Sequence, residues 1–199
     1  MVKTKWGGIC MEALRNKIIQ EGRLRPGDML DVESFLSHQV DTQLLGQMAD
    51  ELSHRLDLDD VTKILTAEAS GIPFAAICAY RFGLPMVYAK KVKTELSDTP
   101  VYKSTVFSFT YERPTTFFCD VRFLQRNDKV LLVDDFLAGG QSMRALVDIV
   151  NQSGAQLVAI AVAIEKKCEG GGDRLRADGH RVEALATITG ASKKGLTFA

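Results

Sequence analysis

A chain of 199 residues has room for one domain or two, and 46 % hydrophobic with 25 % charged residues is an ordinary globular composition. It can bury a core without disulfides or a structural metal. Lys plus Arg (25) equals Asp plus Glu (25), so no global field points to nucleic acid or a membrane surface as partner.

The longest unbroken apolar stretch, residues 157–164, is far short of the ~18 residues of a membrane span. The first eight residues lack the apolar core of a secretory signal. Cys10, Cys78, Cys119 and Cys168 show no C-x-x-C spacing and no nearby histidine pair, which argues against zinc or a redox pair. Cys78 and Cys119 sit in apolar runs and read as core residues. Such thiols fit a reducing compartment, so the expected location is cytoplasmic.

Residues 11–21 carry helix formers at helical apolar spacing, and Gly22 follows as a stop. Pro26-Gly27-Asp28 reads as a turn. Residues 41–56 form an amphipathic helix with Leu44, Leu45, Met48 and Leu52 on one face. A strand at 62–67, a helix at 71–82 with a proline near its first turn, and a short strand at 86–89 come next. Residues 90–103 are polar and aperiodic, which predicts a long mobile loop of the functional kind. Residues 104–110 and 115–122 alternate around Glu112-Arg113-Pro114 and predict a hairpin. A buried strand at 129–133, a helix at 140–153, a buried strand at 156–164, a helix at 173–177 and a strand at 180–188 complete the chain. The alternation predicts an α/β fold, a mostly parallel sheet wound in the Rossmann manner.

The chemistry concentrates in residues 130–142, VLLVDDFLAGGQS. An apolar strand ends on two carboxylates, and a Gly-Gly loop opens a helix. Ligands of open α/β sheets bind outside the carboxyl ends of strands. Backbone N–H groups of Ala138, Gly139, Gly140, Gln141 and Ser142 can converge on an anion at the helix N-terminus, and Gln141 and Ser142 add side-chain donors. A monophosphate suits so short a loop, which has neither the lysine nor the spacing of a P-loop. Asp134 and Asp135 can accept hydrogen bonds from ribose hydroxyls. A turn cap needs one carboxylate, and two adjacent ones ending a buried strand point to a ligand.

The 134–142 run resembles the ribose-phosphate signature of type I phosphoribosyltransferases, and the resemblance covers nearly the whole chain from Met11. Met-Glu-Ala-Leu at 11–14, LDVESFLSHQ at 30–39 and Ile164-Glu165-Lys166 resemble the bacterial xanthine phosphoribosyltransferases. The implied fold is a single phosphoribosyltransferase domain with a small hood and a mobile loop. Residues 1–10 then form an extension without a match, and 11–40 contribute to the base-binding hood. The implied reaction joins a purine, xanthine, to 5-phosphoribosyl-1-diphosphate (PRPP), releasing pyrophosphate. Mg²⁺ is the implied cofactor, held mainly by substrate oxygens and water, with no metal ligand assigned in the chain. A homodimer is implied as well.

By this resemblance Ala138, Gly139, Gly140, Gln141 and Ser142 hold the 5-phosphate, and Asp134 and Asp135 hold the ribose. Glu68, Ala69, Ser70 and Gly71 hold the pyrophosphate with Lys90, preferred over Lys91 and Lys93, which fall in the same basic stretch. Leu30, Ser37, Lys166 and Phe136 hold the base. Lys166, directly after a buried strand, is placed to donate to an exocyclic purine oxygen, which favours 6-oxopurines over adenine. The chain departs from its relatives at Ser37, where they carry asparagine, and at Gly139, where they carry asparagine or threonine. Ala138 replaces the aspartate of hypoxanthine-guanine members, so no general base is assigned; His38 reads as a loop residue. Two alternatives share the fold: a phosphoribosyltransferase for guanine, hypoxanthine or adenine, and a non-catalytic PRPP-sensing transcription regulator. The regulators carry an added DNA-binding domain, whereas the residues before the first predicted strand here hold no basic recognition helix.

Overall fold

A computed structural model describes residues 11–25, 29–91, 99–108, 113–192 and 195–199. The turn at Pro26-Gly27-Asp28, Cys10 and the rest of the 1–10 segment, and residues 92–98 of the expected loop at 90–103 lie outside the described residues.

A first helix, α1 (Glu12–Glu21), buries Leu14 and Ile18, one turn apart, and Gly22 closes it by donating its N–H to the Ile18 carbonyl. Strands β1 (Arg23–Arg25) and β2 (Met29–Asp31) pair antiparallel; the sequence marks a turn at 26–28 between them, but no periodicity marks the strands. A five-residue π-helical turn over Glu33–Ser37 leads to α2 (Thr42–Arg55). Asp41 caps α2 by accepting the Leu44 N–H at 3.0 Å. That bond, with Lys17 beside it, holds the Asp41 carboxyl below the usual carboxylate range. The expected apolar face of α2 is buried as read, with Ala49 added.

The central sheet takes its strands from β3 (Lys63–Ala67), β4 (Met86–Ala89), β7 (Lys129–Leu137), β8 (Gln156–Lys166), β9 (Val182–Ser192) and β10 (Gly195–Phe198). Their order is β10-β9-β8-β7-β3-β4, parallel throughout except for β10 on β9. Helix α3 (Gly71–Phe82) links β3 to β4, α4 (Gln141–Ser153) links β7 to β8, and α5 (Gly171–Ala177) links β8 to β9. The mostly parallel α/β sheet expected from the sequence is therefore present. Strand side chains alternate between its faces. Ile64, Leu131, Val133, Ala159 and Ala161 pack with α1, α2 and α3 on one side. Leu65, Val130, Leu132, Ile160 and Val162 pack with α4 and α5 on the other. Cys78 and Cys119 are buried, one in each layer, and burial pushes the Cys119 thiol up to about 11.

The remaining strands, β5 (Val101–Ser108) and β6 (Arg113–Asp120), form the expected hairpin, with two corrections. Residues Val101, Tyr102 and Lys103, read as loop, belong to β5, because Val101 pairs with Asp120 and Lys103 with Phe118. Arg113 and Pro114, read as turn, already belong to β6. The hairpin lies against α4, where Gln152 Nε2 donates to the Lys103 carbonyl at 2.8 Å.

Candidate active site

Strand order makes the site. From β3 the chain moves outward to β4, then returns to the other side of β3 and continues through β7, β8 and β9. The sheet thus reverses its winding between β3 and β7, and a crevice opens at their carboxyl ends. A cleft of about 530 Å³ occupies that position. Its lining includes Glu68 and Ser70 after β3, Asp134, Asp135 and Phe136 in β7, and Ala138, Gly139, Gly140, Gln141 and Ser142 ahead of α4.

The two carboxylates sit inside β7, not beyond it. The strand was expected to stop at Val133, yet its pairing with β8 continues through Asp134 with Val162 and Phe136 with Ile164. Ladder bonds hold both acids in place, each 7 % exposed. Asp134 Oδ1 accepts the Asp135 N–H at 3.0 Å, and Ser70 Oγ donates to Asp135 Oδ1 at 3.1 Å. Burial first, then the neighbouring charge of Asp135, holds the Asp134 carboxyl well above its ordinary range; burial raises Asp135 too. Gly71 begins α3 against this pair, and a Cβ there would overlap Asp134 Oδ1. Thr66 Oγ1, fully buried nearby, has no hydrogen-bond partner among the described residues.

The 138–142 loop turns through Gly140, whose φ of +81° is left-handed and open to glycine at little cost. Helix α4 starts at the next residue, so its unpaired first-turn N–H groups lie along the cleft lining. The loop's carbonyls are tied down from α5. Gly171 N–H donates to the Ala138 carbonyl and Arg174 Nη2 to the Gly139 carbonyl, both at 3.0 Å. Polar oxygens are thereby occupied on one side of a loop whose N–H groups remain for an anion.

On the β3 side, Glu68 Oε2 accepts the Lys91 N–H at 2.7 Å. Lys91 lines the cleft; Lys90, the lysine singled out from the sequence, does not, and its ammonium stands 6.0 Å from the Tyr88 ring centre. Ala69, within the Glu68–Ser70 turn, and Gly71, the first residue of α3, do not line the cleft themselves.

A second cavity of about 230 Å³ is lined by Leu24, Leu30, Ile188, Gly190, Ala191 and Leu196, together with Lys166 and Cys168. The expected base residues Leu30 and Lys166 thus meet there, and Phe136 lines the larger cleft. Ser37, at the end of the π-helical turn, is half-buried and lines neither cavity. Sequence reading preferred Lys90 to its neighbour Lys91, and it missed Glu169 and Arg174 in the cleft lining. The run Gly170-Gly171-Gly172 was the available signal, since glycines after a buried strand mark a close backbone approach.

Among the described residues, no cluster of three or more His, Cys, Asp or Glu is arranged around a metal position. The Asp134–Asp135 oxygens are nonetheless hard donors of the kind that suits a Mg²⁺ ion carried by phosphate oxygens and water. No helix among the described residues is long and apolar enough to cross a membrane.

A carboxyl-end crevice with an acidic pair and an anion loop is suited to a phosphorylated ribose ligand, and the comparisons supply the family. Residues 33–179 match the phosphoribosyl transferase domain, and the chain belongs to that family. A xanthine phosphoribosyltransferase of Alkaliphilus metalliredigens is 41 % identical over 188 residues, spanning 94 % of this chain and 93 % of that protein. One from Ruminiclostridium cellulolyticum is also 41 % identical, over 94 % of this chain and 99 % of its own. The crystal structure of the Giardia lamblia APRTase complexed with 9-deazaadenine superposes with a TM-score of 0.74, covering 90 % of this chain and 98 % of that one. At 21 % identity that likeness carries the fold. The family expected from the 134–142 signature is borne out.

Proposed function

We propose that the protein transfers the phosphoribosyl group of PRPP to N9 of xanthine, giving xanthosine 5′-monophosphate and pyrophosphate. The observation that carries this reading is a pair of unlike cavities linked by the Lys166–Glu169 contact. One is lined by the acidic pair and the anion loop, the other is mostly apolar with a lysine in its lining. Relatives named as xanthine phosphoribosyltransferases, near 40 % identity over almost the full chain, support the choice of base.

In this reading the N–H groups of Ala138, Gly139, Gly140, Gln141 and Ser142 hold the 5-phosphate. Asp134 and Asp135 accept hydrogen bonds from the ribose hydroxyls and so orient the anomeric carbon. The Glu68–Gly71 turn, with Lys91 beside it, receives the pyrophosphate. Mg²⁺ would be held mainly by PRPP oxygens and water near Asp134 and Asp135, and when bound it neutralises charge gathering on the departing pyrophosphate. Lys166 donates to the purine 6-oxygen, Leu30 bounds the base, and Phe136 faces it from the larger cleft. Segment 11–40 acts as part of a hood in a single domain. A cytoplasmic homodimer is the expected working form.

The test is pyrophosphate release with PRPP and Mg²⁺, offering xanthine, guanine, hypoxanthine and adenine in parallel. Xanthine well ahead supports the reading. Guanine or adenine ahead keeps the transferase and moves the base assignment. PRPP binding without turnover of any base makes the PRPP-sensing regulator the better account.

A further inference from the structure

The side chain best placed to tune this site stands between the two cavities. Lys166 ends β8 and lines the smaller cavity. Glu169, in the 3-10 turn Lys167–Glu169, lines the larger cleft. The two side chains meet across the boundary, Lys166 Nζ donating to Glu169 Oε1 at 2.7 Å. The backbone of Glu169 is held too, because its carbonyl accepts from Arg174 Nη2 at 3.0 Å. The same nitrogen reaches the Gly139 carbonyl of the anion loop. The lysine side chain is 14 % exposed and the glutamate 41 %, so solvent screens their attraction in part.

From this geometry we propose that Glu169 is a specificity-determining residue: it offsets the charge that Lys166 presents to the base. The proposal rests on the reading of Lys166 as donor to the purine 6-oxygen. An ammonium has three N–H donors; one goes to Glu169, and two remain for a ligand. Glu169 therefore leaves the hydrogen-bonding capacity in place while lowering the positive potential. An unpaired lysine would select the base that carries negative charge. Xanthine ionises more readily than hypoxanthine or guanine and is largely a monoanion in mildly alkaline solution, where hypoxanthine is largely neutral. With Glu169 present, the anion loses part of its advantage and neutral 6-oxopurines are admitted more evenly.

The other charged or titratable groups nearby are Lys167 and Arg174 on the same segment, the Cys168 thiol at the smaller cavity, and Asp134, Asp135 and Lys91 in the larger cleft. Working at one fixed, mildly alkaline pH holds their states constant between substrates.

The experiment compares the full chain with Glu169→Gln and Glu169→Asp, using xanthine and hypoxanthine. KM is read for each base, or an inhibition constant where hypoxanthine is not turned over. Glu169→Gln keeps an acceptor for Lys166 but removes the charge. It is expected to lower the xanthine value about threefold relative to hypoxanthine, the scale of a half-exposed ion pair. Glu169→Asp keeps the charge and is expected to keep the wild-type ratio. Equal changes for both bases in Glu169→Gln, or a relative loss for xanthine, overturn the proposal and leave the role of Lys166 standing. A wild-type chain that binds neither base removes the underlying reading itself.

Discussion

Replacing Gly171 with alanine tests the coupling between α5 and the anion loop. Gly171 donates its N–H to the Ala138 carbonyl at 3.0 Å. A Cβ at this position would overlap that carbonyl oxygen and stand 2.7 Å from Gly140 N and 2.8 Å from Gly139 C. All three are main-chain atoms, so no rotamer change relieves the clash, and one segment must move by roughly 1 Å to restore ordinary contact. Overpacking of this kind costs about 1–3 kcal/mol. For a chain of this size, about 2–4 °C per kcal/mol puts the expected loss near 5 °C in Tm. The displaced atoms belong to the loop that would grip the 5-phosphate, so the KM for PRPP should rise about tenfold, equivalent to ~1.4 kcal/mol. The KM for the base should move much less. Calorimetry and initial rates with each substrate varied in turn provide the readings. A Gly171→Ala protein with wild-type Tm and unchanged PRPP kinetics would refute the coupling. So would an equal rise in both KM values.

Lys166→Ala should raise the KM for xanthine about tenfold or more, the value of a charge-assisted hydrogen bond, with little change for PRPP; equal effects would remove Lys166 from the base site. Asp134→Asn should stabilise the chain by about 1 kcal/mol at neutral pH while weakening PRPP binding, because it relieves a buried charge in a functional pair. The folded-state carboxyl titrates above its unfolded value, so its contribution to stability is full below that unfolded value and is lost as pH rises through the folded one. The gap in Tm between variant and wild type should therefore close on acidification; a gap that widens contradicts the argument. Arg176→Ala should cost about 3 kcal/mol in urea denaturation, since Glu165, 1 % exposed, takes two 2.7 Å bonds from that guanidinium and would keep a buried, unpaired charge. Adding Glu165→Gln should recover part of the loss.

Helices were the most legible part of the chain. The apolar spacing of Leu44, Leu45, Met48 and Leu52 and the cap at Asp41 fix α2 locally, and its ends agree with the reading within a residue. Strand ends were less legible because pairing, not composition, decides them. Asp134 and Asp135 look like the close of a strand, but β8 provides partners through Leu137 and keeps them inside the sheet. Strand β10 and the β1–β2 hairpin exist through such pairing as well, and no local periodicity announces them. At the site, the acidic pair and the Gly-Gly loop could be read from the order of residues alone. The Lys166–Glu169 contact and the reach of Arg174 to Gly139 depend on how α5 folds back on the loop. Lys91, not Lys90, lines the cleft. The sequence offers no means of choosing between adjacent lysines.

The two cavities draw on different stretches of the polypeptide. The larger takes its walls mostly from the middle of the chain, from Ala67 to Met143 with Glu169 and Arg174 added. The smaller is built chiefly from segments toward the two ends, Leu24 and Leu30 on one side and Ile188 to Leu196 on the other. Substitutions accumulating near the ends can therefore reshape the smaller chamber while the residues around the acidic pair stay fixed. On the proposed assignment of base and PRPP to the two cavities, such an arrangement is modular in evolution: a lineage can exchange its acceptor without rebuilding the apparatus that activates the donor.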